Sequence, residues 1–347
     1  MSGLGEFELI ARYFTRPTRE RRGVGDDCAL IDVGGCTLAL TSDMLLEAVH
    51  FFPGADARDL GHKALAVNLS DLAAAGARPR CFLLDLALPA PDPDWLEAFS
   101  SGLFALAREQ DCTLIGGDTS RSPAGPCAGG PIVVAITAVG EVAAGAWRGR
   151  DGARPGDDIW VSGALGEAAF ALAARRALRS EPAGLGDEAQ WRQRVAQFAD
   201  DPASGLQHCL QRLDRPAPRV PLGLALAGLA SAAIDVSDGL LGDLGHILER
   251  SQVGAEVDAA ALPCGRIPPV LPAGLRQRLA LAGGDDYELL FCAPPRQRAA
   301  VAALSTAQVP LTRIGRVTVE QGLRVVNGGR DACGATLQPF DHFRSRT

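Results

Sequence analysis

Apolar positions along this chain recur at two spacings. Between residues 57 and 76, Leu60, Ala64, Leu65, Leu69 and Leu72 fall three or four apart, which predicts a helix with Gly76 as its stop. Phe7, Ile10, Ala11 and Phe14 share one face of a shorter helix over 4–14. Asp92 and Pro93 open a helix over 94–109. Between these lie short apolar runs that predict strands at 28–33, 36–42, 81–88, 112–116 and 131–140.

Glycine and proline cluster at 145–158, as expected of a junction. Beyond it the pattern predicts a strand at 158–162, a helix at 164–178, a strand ending at Asp235 and a helix at 238–250. A strand at 254–258, a helix at 274–282, a strand at 287–293, a helix at 295–304 and strands at 312–318 and 322–327 complete the reading. The polar stretch 180–203 predicts no element. Alternating strands and helices in both halves point to an α/β or α+β protein of two domains, 1–148 and 149–347.

Composition narrows the partners. With 47% apolar residues the chain can bury a sizeable core. Its net charge of -7 and isoelectric point near 5.3 oppose a nucleic-acid partner, but an acidic protein still binds phosphates when metal ions intervene. Lys63 is the only lysine, and its Gly-His-Lys-Ala context is neither a phosphate-binding loop nor a protein-kinase strand. The 9 cysteines contain no Cys-x-x-Cys pair, which opposes structural zinc and a disulfide scaffold and suits a reducing cytoplasm. Glu6, Glu8 and Arg12 oppose a signal peptide, and prolines and glycines break the longest uncharged stretch, so no membrane span is expected.

Candidate chemistry appears where carboxylates stand beside glycine or hydroxyl residues at predicted strand ends. Gly25-Asp26-Asp27 precedes a strand, Thr41-Ser42-Asp43 and Gly116-Gly117-Asp118 end strands, and Asp235-Val236-Ser237-Asp238-Gly239 joins a strand to a helix. Asp71 lies on the helix at 57–76, three residues after Asn68, and Gly283-Gly284-Asp285-Asp286-Tyr287-Glu288 precedes another strand. Any one of these is an ordinary turn. Together, with no clustered His or Cys, they suggest hard-oxygen sites for Mg²⁺. An aspartate at the start of the helix at 238–250 competes with a bound phosphate unless a cation bridges the two. With Arg150 at the junction, the pattern describes a metal-dependent polyphosphate site. Gly23-Val24-Gly25 lacks the third glycine of a dinucleotide fingerprint, and the 5 histidines show no metal spacing.

These motifs, joined by Lys63 to Ala73 and by Gly152-Ala153-Arg154-Pro155-Gly156-Asp157, resemble the thiamine-monophosphate kinase family in order and over nearly the whole chain. The family has an aminoimidazole-ribonucleotide-synthetase-like fold. The resemblance implies transfer of the γ-phosphoryl group of ATP to thiamine monophosphate. It implies several Mg²⁺ ions on Asp27, Thr41, Ser42, Asp43, Asp71, Asp118, Asp235 and Asp238, and nucleotide contacts from Gly117, Asp118, Arg150 and Ser237. Thiamine-phosphate contacts would come from His50, Asp285 and Phe340. It also implies a homodimer in which N-terminal-domain strands build a barrel.

The chain departs from the family at two places. Asp285 is one methylene shorter than the usual glutamate, and Phe340 replaces a usual Tyr or Trp. No general base is expected, because the acceptor phosphate is largely dianionic at neutral pH. Two alternatives remain: a sister ATP-dependent enzyme and a non-catalytic nucleotide-binding homologue. Selenophosphate synthetase would want a reactive cysteine in a glycine-rich N-terminal segment, and the first here is Cys28. The hydrogenase-maturation enzyme would want a C-terminal cysteine, and this sequence ends in Thr347.

Overall fold

A computed structural model describes residues 5–20, 22–123, 130–327 and 330–331. They form two compact units. One comprises Pro17–Trp147 with Asp214–Ala227; the other comprises the described residues of Met1–Arg16, Arg148–Leu213 and Gly228–Thr347. The helix expected at 4–14 is a short α1 (Glu6–Leu9) continued by a π-helical turn, Ile10–Phe14. Of the apolar face expected there, Phe14 is 65% exposed.

In the first unit, β1 (Ala29–Val33), β2 (Cys36–Leu46), α2 (Ala57–Ala75), β3 (Ala77–Leu88), α3 (Pro93–Glu109), β4 (Thr113–Arg121) and β5 (Val133–Val142) follow in order. The sheet runs β1-β2-β5-β3-β4, antiparallel except where β3 meets β4. The Asp56 carboxylate caps α2 and Gly76, at φ 68°, closes it. α2 packs between α3 and the sheet, so apolar residues are buried on every side of it.

Two strands outrun their apolar patterns. β2 continues to Leu46 because its ladder with β5 is unbroken from Thr37 to Leu46, so Thr41-Ser42-Asp43 lies within the strand rather than at its end. β4 continues to Arg121, paired with β3 through a bulge that takes up Ile115, so Gly116-Gly117-Asp118 is also intrastrand. Hydrogen bonding to a neighbour decides where these strands stop, and polarity along one strand does not report it.

The remaining elements are β6 (Asp158–Ser162), α4 (Glu167–Leu178), α5 (Glu188–Asp200), α6 (Leu206–Asp214), α7 (Val220–Ala225), β7 (Ala232–Asp235), α8 (Leu240–Ser251) and β8 (Gly254–Asp258). α9 (Ala273–Ala282), β9 (Leu289–Ala293), α10 (Arg298–Ala303), β10 (Leu311–Thr318), β11 (Gly322–Asn327) and β12 (Arg330–Asp331) complete the set. α7 belongs to the first unit, against α2. The second unit's sheet runs β12-β11-β8-β10-β6-β9-β7, antiparallel except for β11 with β8. The fold is therefore of the mixed α+β kind. The polar stretch 180–203 holds α5, whose Trp191, Val195 and Phe198 are buried against α4. Phe170 meets Trp191 and Phe198 edge-on at 6.0 and 6.1 Å.

Candidate active site

In the first unit, β2 alternates. Thr41 and Asp43 share the face turned toward α2, while Ser42 and Met44 lie on the open face. Asp71 comes from α2 and accepts a hydrogen bond from the Thr41 hydroxyl. Asp27 comes from the loop before β1, and its carboxylate and that of Asp71 have oxygens within 4.8 Å of each other. Burial pushes the Asp43 carboxyl up to about 6; a hydrogen bond with Asp71 opposes the rise and the charge of Asp27 adds to it. Thus Asp27, Thr41, Asp43 and Asp71 converge. Every donor is a hard oxygen, so these residues fit Mg²⁺.

Ser42 is not brought into the cluster by its side chain. Its hydroxyl stands 3.0 Å from that of Thr137 on β5, on the open face. Asp118 is not brought in either. It is three strands from β2, roughly 14 Å at the usual spacing, and its register through Asp85 and Ala135 puts it on the same face as Met44. The Asp118 main-chain N–H donates to Asp85 at 2.8 Å. Asp85 is a second exposed carboxylate that sequence reasoning missed; its signal was the lone charge in the apolar run 81–88. Gly117 has φ 141°, and a Cβ there would fall 1.8 Å from the Leu84 carbonyl oxygen, so only glycine fits beside Asp118. At His50, Nδ1 accepts the Leu46 N–H at 2.9 Å, which places the proton of the neutral ring on Nε2.

In the second unit, Asp235 ends β7 and is buried. Ser237 and Asp238 occupy the loop before α8, which starts at Leu240 rather than at 238. Asp243, in the first turn of α8, accepts the N–H groups of Asp238 and Gly239 at 3.3 and 3.1 Å and so ties the loop to the helix. The segment 283–288 is laced to this loop. The Asp285 N–H donates to the Ser237 carbonyl oxygen, and Tyr287 N–H and Val236 C=O pair likewise, both at 2.8 Å. Ser237 and Asp285, the expected nucleotide and acceptor contacts, thereby become neighbours. Gly284 is required there, since a Cβ would stand 2.4 Å from the Ser237 carbonyl oxygen.

Asp285 and Tyr287 have φ of 67° and 50°, left-handed values that cost a non-glycine residue roughly 1–2 kcal/mol each. These angles also delay β9 to Leu289 instead of 287. The Tyr287 hydroxyl donates to the Asp285 carboxylate at 3.1 Å. Asp286 and Glu288, which sequence reasoning did not single out, are almost wholly buried. Burial holds the Asp286 carboxyl well above its ordinary range, against the pull of the Gly166 N–H and of Arg212.

Arg150 lies in the loop before β6, whose main chain is held by Ser251: its hydroxyl donates to the Arg150 carbonyl oxygen at 2.8 Å and accepts the Ala153 N–H at 3.1 Å. Burial, with the Arg150 charge, lowers His246 on α8 to about 4. Two residues earlier, Arg148 is buried, which brings its guanidinium down to about 10; sequence reasoning passed it over. Phe340 lies outside the described residues.

These two units match two family models. Residues 25–142 match the AIR synthase related protein N-terminal domain, and residues 154–327 match its C-terminal domain. The class is thus that of AIR synthase-related proteins. The thiamine-monophosphate kinases of Salmonella typhimurium and Escherichia coli are 43% and 42% identical to this chain, each comparison covering 98% of both sequences. A crystal structure of thiamine-monophosphate kinase from Stenotrophomonas maltophilia has 45% identity and a TM-score of 0.74, covering 96% of this chain and 99% of that one. A structure described as AaThiL complexed with AMPPCP and TMP has 29% identity and a TM-score of 0.77, covering 98% and 97%. The chain belongs to the thiamine-monophosphate kinase family.

Proposed function

We infer that the protein transfers the γ-phosphoryl group of ATP to thiamine monophosphate, giving thiamine diphosphate and ADP. The observation that carries this is the 43% identity to a thiamine-monophosphate kinase over 98% of both chains, joined to the convergence of Asp27, Thr41, Asp43 and Asp71. ATP is the co-substrate; the related AaThiL structure is described with the analogue AMPPCP and with TMP.

The chain's own residues supply positioning and charge. Asp27, Thr41, Asp43 and Asp71 would hold Mg²⁺ on the α2 side of the sheet, Ser42 and Asp118 would hold it on the open face, and Asp235 and Asp238 would hold it in the second unit. Bound Mg²⁺ would neutralise the repulsion between the two polyanionic substrates. Gly117, Asp118, Arg150 and Ser237 bind the nucleotide. His50, Asp285 and Phe340 contact the acceptor. The acceptor phosphate needs no proton removed, so no residue acts as general base.

The protein acts as a cytoplasmic homodimer. Among the described residues no helix is long and apolar enough to cross a membrane. The open face of the first unit's sheet carries exposed Met44 and Leu83, with Ile115 exposed at the β4 bulge, and β4 is a long unpaired edge. ADP release measured with thiamine monophosphate, thiamine and selenide as acceptors tests the reading. Release with the monophosphate and not with the other two is expected. Release dependent on selenide would move the protein to a sister activity.

A further inference from the structure

Between α9 and β9 the chain passes through two left-handed non-glycine residues, Asp285 and Tyr287. Such a backbone persists only where its surroundings over-determine it. The carboxylates that alternate with this pair are the anchors. Asp286 accepts main-chain N–H groups at the start of α4, from Gly166 at 2.6 Å and Ala168 at 3.3 Å. Glu288 accepts the Ser162 hydroxyl at 2.6 Å. Each of these contacts holds one residue.

Arg212 holds two. From α6 it directs one guanidinium nitrogen to the main-chain oxygen of Asp286, at 3.0 Å, and to the Glu288 carboxylate, at 2.7 Å. Its Nε lies 3.8 Å from Glu167, and its side chain is only 14% exposed. The guanidinium therefore straddles Tyr287 and ties the main chain before it to the side chain after it. Asp285 in turn hangs on the Ser237 carbonyl and receives the Tyr287 hydroxyl.

We propose that Arg212 is a positioning residue for the acceptor. By clamping Asp286 to Glu288 it keeps Asp285 and Tyr287 in the left-handed geometry that presents Asp285 to thiamine monophosphate. This rests on the function inferred above and on Asp285 as an acceptor contact. A rival role is plain neutralisation of Glu167 and Glu288. Lysine separates the two roles: it keeps the charge, but its side chain ends one bond short of the guanidinium nitrogen that makes both contacts, and it has no second nitrogen for Glu167.

Steady-state kinetics of the full-length Arg212→Lys and Arg212→Met variants, read beside their thermal melting, test the proposal. Arg212→Met should raise the KM for thiamine monophosphate by about tenfold or more and that for ATP by less than about threefold. Arg212→Lys should fold and show the same split at smaller amplitude. If the methionine variant does not fold, the lysine variant decides. Equal rises in both KM values, an unchanged acceptor KM, or loss of folding in both variants overturns the proposal. A wild-type protein that releases no ADP with thiamine monophosphate overturns the function instead, and the two failures are distinguishable.

Discussion

Asp43 sits where its charge is least comfortable. It is on the inner face of β2, hydrogen-bonded to Asp71 and within reach of the Asp27 charge, with its carboxyl raised to about 6. Asparagine preserves the shape and removes the charge. Asp43→Asn should leave the melting temperature close to wild type and lower kcat by at least about 100-fold at saturating Mg²⁺. Turnover near the wild-type rate would remove Asp43 from the site. His246 offers a pH test. Its folded value of about 4 lies below the ordinary 6.5. The unfolded chain therefore takes up the proton first as pH falls. The stability this linkage contributes is complete above pH 6.5 and declines toward pH 4, by roughly 3 kcal/mol in all. His246→Asn should flatten the stability–pH curve across that window, which urea unfolding of the substrate-free protein at several pH values would show. Parallel curves for the two proteins would contradict the assignment.

At the scale of elements, α5 shows what carries a helix through a polar sequence. Three buried side chains, Trp191, Val195 and Phe198, dock it on α4, and the Asp187 carboxylate accepts the N–H groups of Ala189 and Gln190. Trp191 adds a hydrogen bond from its indole N–H to the Ala173 carbonyl oxygen at 3.2 Å. Trp191→Ala should cost about 3 kcal/mol through the cavity it leaves. The folded fraction should keep both KM values, since α5 bears none of the expected substrate contacts. Chemical denaturation and kinetics on one preparation check both statements. Periodicity could not find α5, because only three of its positions face the core and the rest are polar.

At the scale of the whole molecule, the proposed dimer rests on the open sheet face and the β4 edge. Met44, Ile115 and Leu83 are 56%, 61% and 37% exposed on a sheet that carries α2 on its other side. Light scattering at micromolar concentration should give twice the 36.2 kDa of one chain. A stable monomer would leave those side chains unexplained and withdraw the dimer.

The sequence alone was enough for the family and the mixed α/β character, because these depend on local patterns and on motifs in order. It also located α2 and its stop at Gly76, since helix signals are contained within or beside the helix. Three things were decided only by tertiary structure. Strand ends at Leu46 and Arg121 follow from ladder partners far along the chain. The facing of Thr41 and Asp43 away from Ser42 follows from which side of the sheet α2 covers. The anchoring of Asp286 and Glu288 follows from contacts with Gly166 and Ser162, more than 100 residues away, and the proposed role of Arg212 from its contacts with the Asp286 carbonyl oxygen and the Glu288 carboxylate. A buried polar group is defined by what it meets, and sequence spacing carries no record of meetings across that distance.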